Sequence, residues 1–326
     1  MNNFAFQTAA SAKQATGAFR DDKQAAYLAG GTTLLDLMKL NVLQPSQLVD
    51  INSLPYRGIT ETPDGLRIGA MERMSDVGEN ALVMQQYPAI SESLLLAASP
   101  QLRNMASIGG NLLQRTRCGY FRDTAFPCNK RQPGSGCPAI NGENRNHAIL
   151  GTSDQCIATY PGDLAVALIA LDAVLHLESA KGKARRVPLL DFYLTPGNTP
   201  QRETTLEPGE LITAVTVPAA EHARKSKYLK VRDRASYAFA LVSAAVGLDV
   251  QGGTIRSARV ALGSVGTKPW RAQAAEQLLV GKAATEANFR AAAALALQGA
   301  RPHKHNAFKV ELAQNTLVRA LQDVAG

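Results

Sequence analysis

Between residues 115 and 151 the chain carries three of its four cysteines and three prolines, yet sustains neither the 3.6-residue period of a helix nor the alternation of a strand. A structureless run of that length inside a compact domain is normally functional rather than mere linkage, so something must hold it in place. The thiols, Cys118, Cys128, Cys137 and Cys156, follow a C-x9-C-x8-C-x18-C spacing. Structural zinc usually draws its thiolates from C-x2–4-C knuckles, which this spacing lacks. A [4Fe-4S] cube needs four thiolates converging on one point, and a long wrapped loop delivers them at irregular spacing. Two disulfides are the alternative in an oxidising compartment. Spacing disfavours zinc and leaves cluster, disulfides and free thiols open. Arg115, Arg117, Arg122, Lys130 and Arg131 crowd the same stretch, where their charge would offset an anionic cluster and raise its potential.

Around this stretch the pattern is that of a globular protein with mixed helix and strand. A length of 326 residues predicts about two domains, and 45% hydrophobic with 19% charged residues excludes a disordered or fibrous chain. Residues 8–19 are Ala-rich and predict a helix. Residues 25–29 read as a strand, Gly30-Gly31 as a tight turn, 32–40 as a helix and 48–51 as a second strand, a small β-α-β crossover. After Pro55 come short strands such as 66–70, then helices over 74–84 and 89–98, and beyond Asp163 a helix and a strand up to residue 187. Residues 211–217 alternate as a strand stopped by Pro218. The polar stretch 221–227 reads as a link between domains. After it, 230–232, 240–250 and 255–263 read as an antiparallel sheet with a Gly252-Gly253 hairpin, and 272–280, 287–297 and 310–324 as a three-helix bundle.

Two glycine turns carry candidate chemistry. In Leu28-Ala29-Gly30-Gly31-Thr32-Thr33-Leu34, successive N–H groups ahead of a helix form a concave anion site that suits a pyrophosphate, although a plain strand-to-helix turn fits as well. The spacing is neither the Rossmann nor the Walker pattern. In Ala106-Ser107-Ile108-Gly109-Gly110-Asn111-Leu112, Ser107 and Asn111 add side-chain donors, with Asn111 equally suited to a cap or Asx turn. Together the two turns would grip both ends of a dinucleotide. Asp163 is placed to cap the helix after it, and Lys230 and Arg232 beside Asp233 and Arg234 read as a solvated ion-pair cluster.

Several function classes lose support. The five histidines show no ligand or triad spacing, with His303 and His305 in a polar loop, and neither a Ser-His-Asp order nor an HExxH helix is present. A net charge of +8 without any block of five basic residues, with 6% aromatics, argues against nucleic acid and for docking onto an acidic partner subunit. The first residues lack the basic start and apolar run of a secretory signal. The longest apolar run, 164–171, falls short of the ~20 residues that span a bilayer.

The stretches Tyr27-Leu28-Ala29-Gly30-Gly31-Thr32-Thr33-Leu34, Ala106-Ser107-Ile108-Gly109-Gly110-Asn111, Pro161-Gly162-Asp163-Leu164 and Lys230 through Ala240 resemble the FAD-binding subunits of the xanthine dehydrogenase and aldehyde oxidoreductase family of molybdenum hydroxylases. The likeness covers essentially the whole chain. The cysteine-bearing run from Asn111 to Cys118, with Pro127-Cys128-Asn129-Lys130-Arg131 and Pro133-Gly134-Ser135-Gly136-Cys137, is similar to the flavin subunits of bacterial periplasmic aldehyde oxidoreductases, in which four cysteines hold an extra [4Fe-4S] cluster.

The resemblance implies an α+β fold: an FAD-binding, PCMH-like domain over 1–220, in subdomains of about 1–55 and 56–220 with the cluster loop at about 115–156, then a C-terminal domain over 221–326. It implies that Tyr27 and the Leu28–Leu34 turn bind the FAD pyrophosphate, that Ser107, Ile108, Gly110 and Asn111 surround the phosphates and flavin, and that Asp163 contacts the adenosine half or the flavin. Ile212 and Lys230 would flank the isoalloxazine, with Lys230 stabilising a reduced, anionic ring. Cys118, Cys128, Cys137 and Cys156 would be the cluster ligands, and no residue of this chain would touch the aldehyde. A molybdenum cofactor in a large subunit and [2Fe-2S] centres in a small subunit are the implied partners, with electrons passing through FAD to an external acceptor. No NAD fingerprint is visible, so a protein or quinone-like acceptor stands beside NAD. Co-export with a signal-bearing partner would place the complex in the periplasm, with the cytoplasm as alternative. The competing reading is a non-redox nucleotide-binding assembly module with a structural zinc or disulfides.

Overall fold

The computed structural model describes residues 1–22, 24–179 and 182–326. Strands β1 (Ala5–Thr8), β2 (Ala25–Leu28) and β3 (Gln47–Asp50) form a parallel sheet of order β1-β3-β2. The helix Leu34–Lys39 makes the expected crossover from β2 to β3. The N-terminal helix starts later than the sequence predicts, at Ala12–Asp21, because Ser11 caps it by accepting from the Gln14 amide. The residues before it are spent on β1, whose four mostly exposed residues carry too little alternation to announce a strand.

Strands β4 (Ile59–Thr62), β5 (Gly65–Gly69), β6 (Val174–Glu178), β7 (Ala184–Pro188) and β8 (Leu211–Val217) form an antiparallel sheet of order β4-β5-β8-β6-β7. Because β8 inserts between β5 and β6, everything from Ala70 to Ala173 is one excursion between strands two places apart. The second glycine turn and all four cysteines lie on that excursion. Its helix Leu164–Ala170 is buried on every side, which accounts for the longest apolar run as core. Among the described residues no helix is long and apolar enough to cross a membrane. The helical pattern of 74–84 is broken in two: the helix Met74–Gly78 stops, and Asn80 caps a new one, Ala81–Gln86, through its Oδ1.

Strands β9 (Ser226–Val231), β10 (Val242–Gln251), β11 (Thr254–Gly263) and β12 (Trp270–Arg271) form an antiparallel sheet of order β12-β11-β10-β9. The β10–β11 hairpin turns at Gly252 and Gly253, whose φ of 56° and 77° only glycine adopts readily. The helices Gln273–Leu279, Glu286–Ala296 and Phe308–Ala325 close over this sheet around Val246, Leu262, Phe289 and Leu317. The stretch 221–227 is not a free link. It forms the short helix Glu221–Arg224 and the first residues of β9, where Lys227 pairs with Glu92 at 2.9 Å and Ser226 Oγ accepts from the Ala89 amide at 3.2 Å. Tyr228, Ala245 and Ala261 accordingly share a core with the five-stranded sheet.

Candidate functional site

A cleft of about 1290 Å³ opens where the three sheets meet. Thr32, Thr33 and Asp36 form its wall on the first glycine turn, Gly110 and Asn111 on the second. Thr116, Thr159 and Asp163 line its depth, and Arg234, Tyr237 and Phe239 line it from the segment between β9 and β10.

The two glycine turns are packed backbone to backbone. A Cβ on Gly30 would stand 2.0 Å from the Met105 carbonyl oxygen, so only glycine allows this approach, and Gly31 turns the chain at φ 71°. Asn52 and Arg73 clamp the pair: Asn52 Nδ2 donates to the Ala29 carbonyl at 3.0 Å, Arg73 donates to Asn52 Oδ1 at 3.1 Å and to the Met105 carbonyl at 2.5 Å. In the second turn, Ser107 is buried and its Oγ accepts from the Gly110 amide at 3.2 Å. The Ile108 and Gly109 amides donate to Glu72 and Ala70 carbonyls, so they hold the turn to the fold. Gly110 is exposed on the cleft, and a Cβ there would meet only Ser107 Oγ. Asn111 donates to Met74 Sδ at 3.2 Å while its Oδ1 is buried without a partner. An orphaned buried acceptor on a cleft wall fits a ligand that brings its own donor.

Other residues named from the sequence sit behind the cleft. Tyr27 packs on Phe19, ring centroids 4.5 Å apart, and its hydroxyl donates to the Gly209 carbonyl at 2.9 Å. Ile212 is buried behind Gly109. Leu28 packs at Gly31, and Leu34 opens the helix. Asp163 makes no capping bond. Its Oδ1 accepts from the Tyr228 hydroxyl at 2.6 Å and its Oδ2 pairs with Lys230 Nζ at 2.8 Å, the Lys230 side chain being 1% exposed. Lys230 also donates to the Leu96 carbonyl at 3.1 Å. The solvated cluster expected around Lys230 is thus a buried ion pair. Burial raises the Asp163 carboxyl above the usual range, against the opposing pull of Lys230 and Tyr228.

The irregular segment stays irregular apart from the short helices Gly119–Arg122 and Pro138–Ile140. Cys118, Cys128, Cys137 and Cys156 line one small cavity with Tyr120, Phe121, Pro127, Asn129, Ala139 and Gln155, and Cys118 lines the large cleft too. All four are free thiols. Among the described residues no group of three or more His, Cys, Asp or Glu side chains is placed to hold one metal ion. Backbone amides aim at the sulfurs: those of Tyr120 and Phe121 at Cys118, Ala139 and Ile157 at Cys137, and Ala158 at Cys156. Burial pushes the Cys118 thiol up to about 11, while the hydrogen bond between Cys137 and Cys156 lowers Cys137 and raises Cys156.

Of the basic residues of this segment, Arg115, Arg117, Arg122 and Lys130 are paired with groups outside it, and Lys130 also lines the cysteine cavity, where its charge acts on the Cys156 sulfur. Arg117 and Arg122 pair with Asp36 at 3.0 and 2.7 Å. Arg115 and Lys130 pair with Glu203, and Arg131 donates to the Tyr120, Phe121 and Phe126 carbonyls. These ion pairs pin the segment. His147, which no sequence spacing singles out, lines the cleft with its Nε2 3.1 Å from Cys118 Sγ. Burial lowers its imidazole to about 4. The buried Asn144 and Asn306 bracket it: the His147 amide donates to the Asn144 carbonyl at 2.9 Å, and Asn306 Nδ2 donates to the His147 carbonyl at 3.3 Å.

Comparison with known proteins covers the whole fold. Residues 2–220 match the family described as the FAD binding domain in molybdopterin dehydrogenase, and residues 227–324 the CO dehydrogenase flavoprotein C-terminal domain. The chain is 50% identical over 301 residues to the aldehyde oxidoreductase FAD-binding subunit PaoB of Escherichia coli K12, covering 92% of this chain and 91% of that one. It is 30% identical over 279 residues to the carbon monoxide dehydrogenase medium chain of Hydrogenophaga pseudoflava, covering 85% and 80%. The reconstituted CO dehydrogenase structure from Oligotropha carboxidovorans superposes with a TM-score of 0.78 at 26% identity, over 99% of this chain and 98% of that one.

Proposed function

The chain belongs to the FAD-binding subunits of the molybdenum hydroxylase family, and from that premise we propose that it carries both FAD and a [4Fe-4S] cluster in an aldehyde oxidoreductase. The large cleft is the FAD site. Its two glycine turns leave room for a dinucleotide to approach the backbone, Gly110 and Asn111 line that room, the Asn111 Oδ1 being buried without a partner, and Thr32 and Thr33 offer hydroxyls beside the first turn. Bound FAD supplies the exchange between one-electron and two-electron chemistry, while the chain holds it and excludes water. The Asp163–Lys230 pair sits under the cleft as an internally neutralised unit, so Lys230 acts by fixing Asp163 rather than as a free cation.

The observation that carries the cluster is the convergence of four free thiols on one cavity from an otherwise irregular segment. One ion would draw its sulfurs to within a few ångströms of each other at ~2.3 Å from the metal. A cube ligates each thiolate through a different iron, so binding it would part Cys137 from Cys156, which hydrogen-bond to each other in its absence. The amides aimed at Cys118, Cys137 and Cys156 suit thiolates, which only accept.

In this reading aldehyde and water become a carboxylic acid in a molybdenum-cofactor subunit, a [2Fe-2S] subunit passes the electrons on singly, and an external acceptor takes them from this chain. The complex works in the periplasm after co-export with a signal-bearing partner. The test is the absorbance spectrum of the purified protein with flavin and iron counted: one FAD and about four irons per chain are expected. A flavin-loaded protein free of iron, or one holding zinc, would remove the cluster and leave the FAD assignment. Detection of the chain and its partner only in spheroplast lysate would overturn the periplasmic placement.

A further inference from the structure

We propose that His147 is a positioning residue of the cysteine centre: its Nε2–H donates a hydrogen bond to Cys118 Sγ and sets the reduction potential of the cluster that this sulfur ligates. The inference rests on the cluster reading above. Nε2 stands 3.1 Å from Sγ, inside hydrogen-bond range for sulfur. A metal-bound thiolate has no proton to give, so the proton in this contact must sit on Nε2. With the ring neutral, Nδ1 is then an acceptor, and Nδ1 is the atom the structure buries without a partner. An unpaired buried acceptor is tolerated better than an unpaired N–H, so this tautomer places the ring's proton where it has a partner and leaves only an acceptor unpaired.

The surroundings fix the ring rather than let it wander. Asn144 and Asn306, both fully buried, hold the main chain of His147 from its two sides, and Asn144 Oδ1 in turn accepts from the His305 amide at 2.9 Å. The ring stands against Tyr120, centroids 6.4 Å apart. The remaining donors aimed at Cys118 are the Tyr120 and Phe121 amides, which no change of side chain short of proline removes. His147 is therefore the side chain through which sequence can tune this sulfur. Cys118 is also the cysteine that lines both the cluster cavity and the large cleft, so the bond acts where the two sites share a wall.

Hydrogen bonds to ligand sulfurs stabilise the more negative, reduced cluster and raise its potential. The test compares the purified complex bearing wild-type His147, His147→Ala, His147→Phe and His147→Gln, with iron counted and the cluster potential read by a redox titration followed by electron paramagnetic resonance. His147→Ala is expected to keep its iron and to be about tenfold harder to reduce, a downward shift of about 59 mV for a one-electron couple. His147→Phe fills the space without a donor and should shift likewise, whereas the amide of His147→Gln should recover much of the wild-type value. Full iron with an unmoved potential in the Ala and Phe variants overturns the role of His147 and leaves the cluster standing. A wild-type protein without iron overturns both.

Discussion

The large cleft and the cysteine cavity share Cys118 as a common wall, but they are made in opposite ways. At the cleft, two turns meet through bare backbone, Gly30 lying against Met105 and Ala106, with both turns anchored to regular elements. At the cavity, a segment with little repeating structure is tethered by side chains from far along the chain: Asp36 holds Arg117 and Arg122, Glu203 holds Arg115 and Lys130, and Asn306 holds the His147 carbonyl. Asn129 closes the loop internally, its Oδ1 accepting from the Gly136 amide at 2.7 Å while Nδ2 donates to the Gln155 carbonyl at 3.0 Å. A site built from backbone is sensitive to added volume. A tethered site is sensitive to lost partners, and the two should fail separately.

The largest effect is expected at the sulfurs. Cys137→Ser should take iron from about four per chain to near zero and expose residues 115–156 to limited proteolysis, while flavin content stays within about twofold of wild type. Loss of both cofactors together would show that the two sites are one cooperative unit. Next comes Asp163→Asn, which leaves Lys230 buried without its counter-charge. A loss of about 3–5 kcal/mol in urea unfolding is expected, and the double change Asp163→Leu with Lys230→Met should recover a large part of it.

Smaller, and confined to the cleft, is Gly30→Ala. Its Cβ collides with the Met105 carbonyl, so the turns must part at a cost of about 1–3 kcal/mol. Flavin titration should show affinity falling at least tenfold with iron unchanged, and normal affinity would mean that the contact is not part of the site. The smallest is Asp36→Asn. The Asp36 carboxyl is held below its ordinary value, chiefly by the hydrogen bond from Arg122. A depressed carboxylate contributes stability above its unfolded pKa and loses it as pH falls through the folded value, so the benefit is present at neutral pH and fades below about pH 4. Both partners are partly exposed, which limits the loss to about 0.2–1 kcal/mol, salt-sensitive and absent at low pH. Thermal unfolding of wild type and variant across that pH range measures it.

Local signals survived the step from sequence to structure, and distant ones did not exist to be read. Gly30-Gly31 with its flanking strand and helix, the Gly252-Gly253 hairpin and the C-terminal helices are fixed by neighbours within a few residues, and each appears where the pattern puts it. The irregularity of 115–151 was itself legible, and so was the ligand-like number of cysteines. The tethers were not. Asp36 to Arg122, Asn306 to His147 and Lys230 to Asp163 join residues tens to more than a hundred positions apart, with no period or spacing to mark them. Asp163 looked like a helix cap because its own neighbours say so; Tyr228 and Lys230, arriving from β9, decide otherwise. The ion pairs of Arg115, Arg117, Arg122 and Lys130 were unreadable for the same reason, since their acidic partners lie outside the segment.

One bracket has a bearing on when the cysteine site can exist at all. Asn306 closes over His147 and Ala148 from 159 residues beyond His147, and Lys309, buried just after it, donates to the Ser264 carbonyl at 2.7 Å. During synthesis the chain leaves the ribosome N-terminus first, at about 5–20 residues per second. The four cysteines therefore emerge well before the residues that lock their surroundings. Until residues 306–309 have followed, the contacts that close over His147 and Ala148 cannot form.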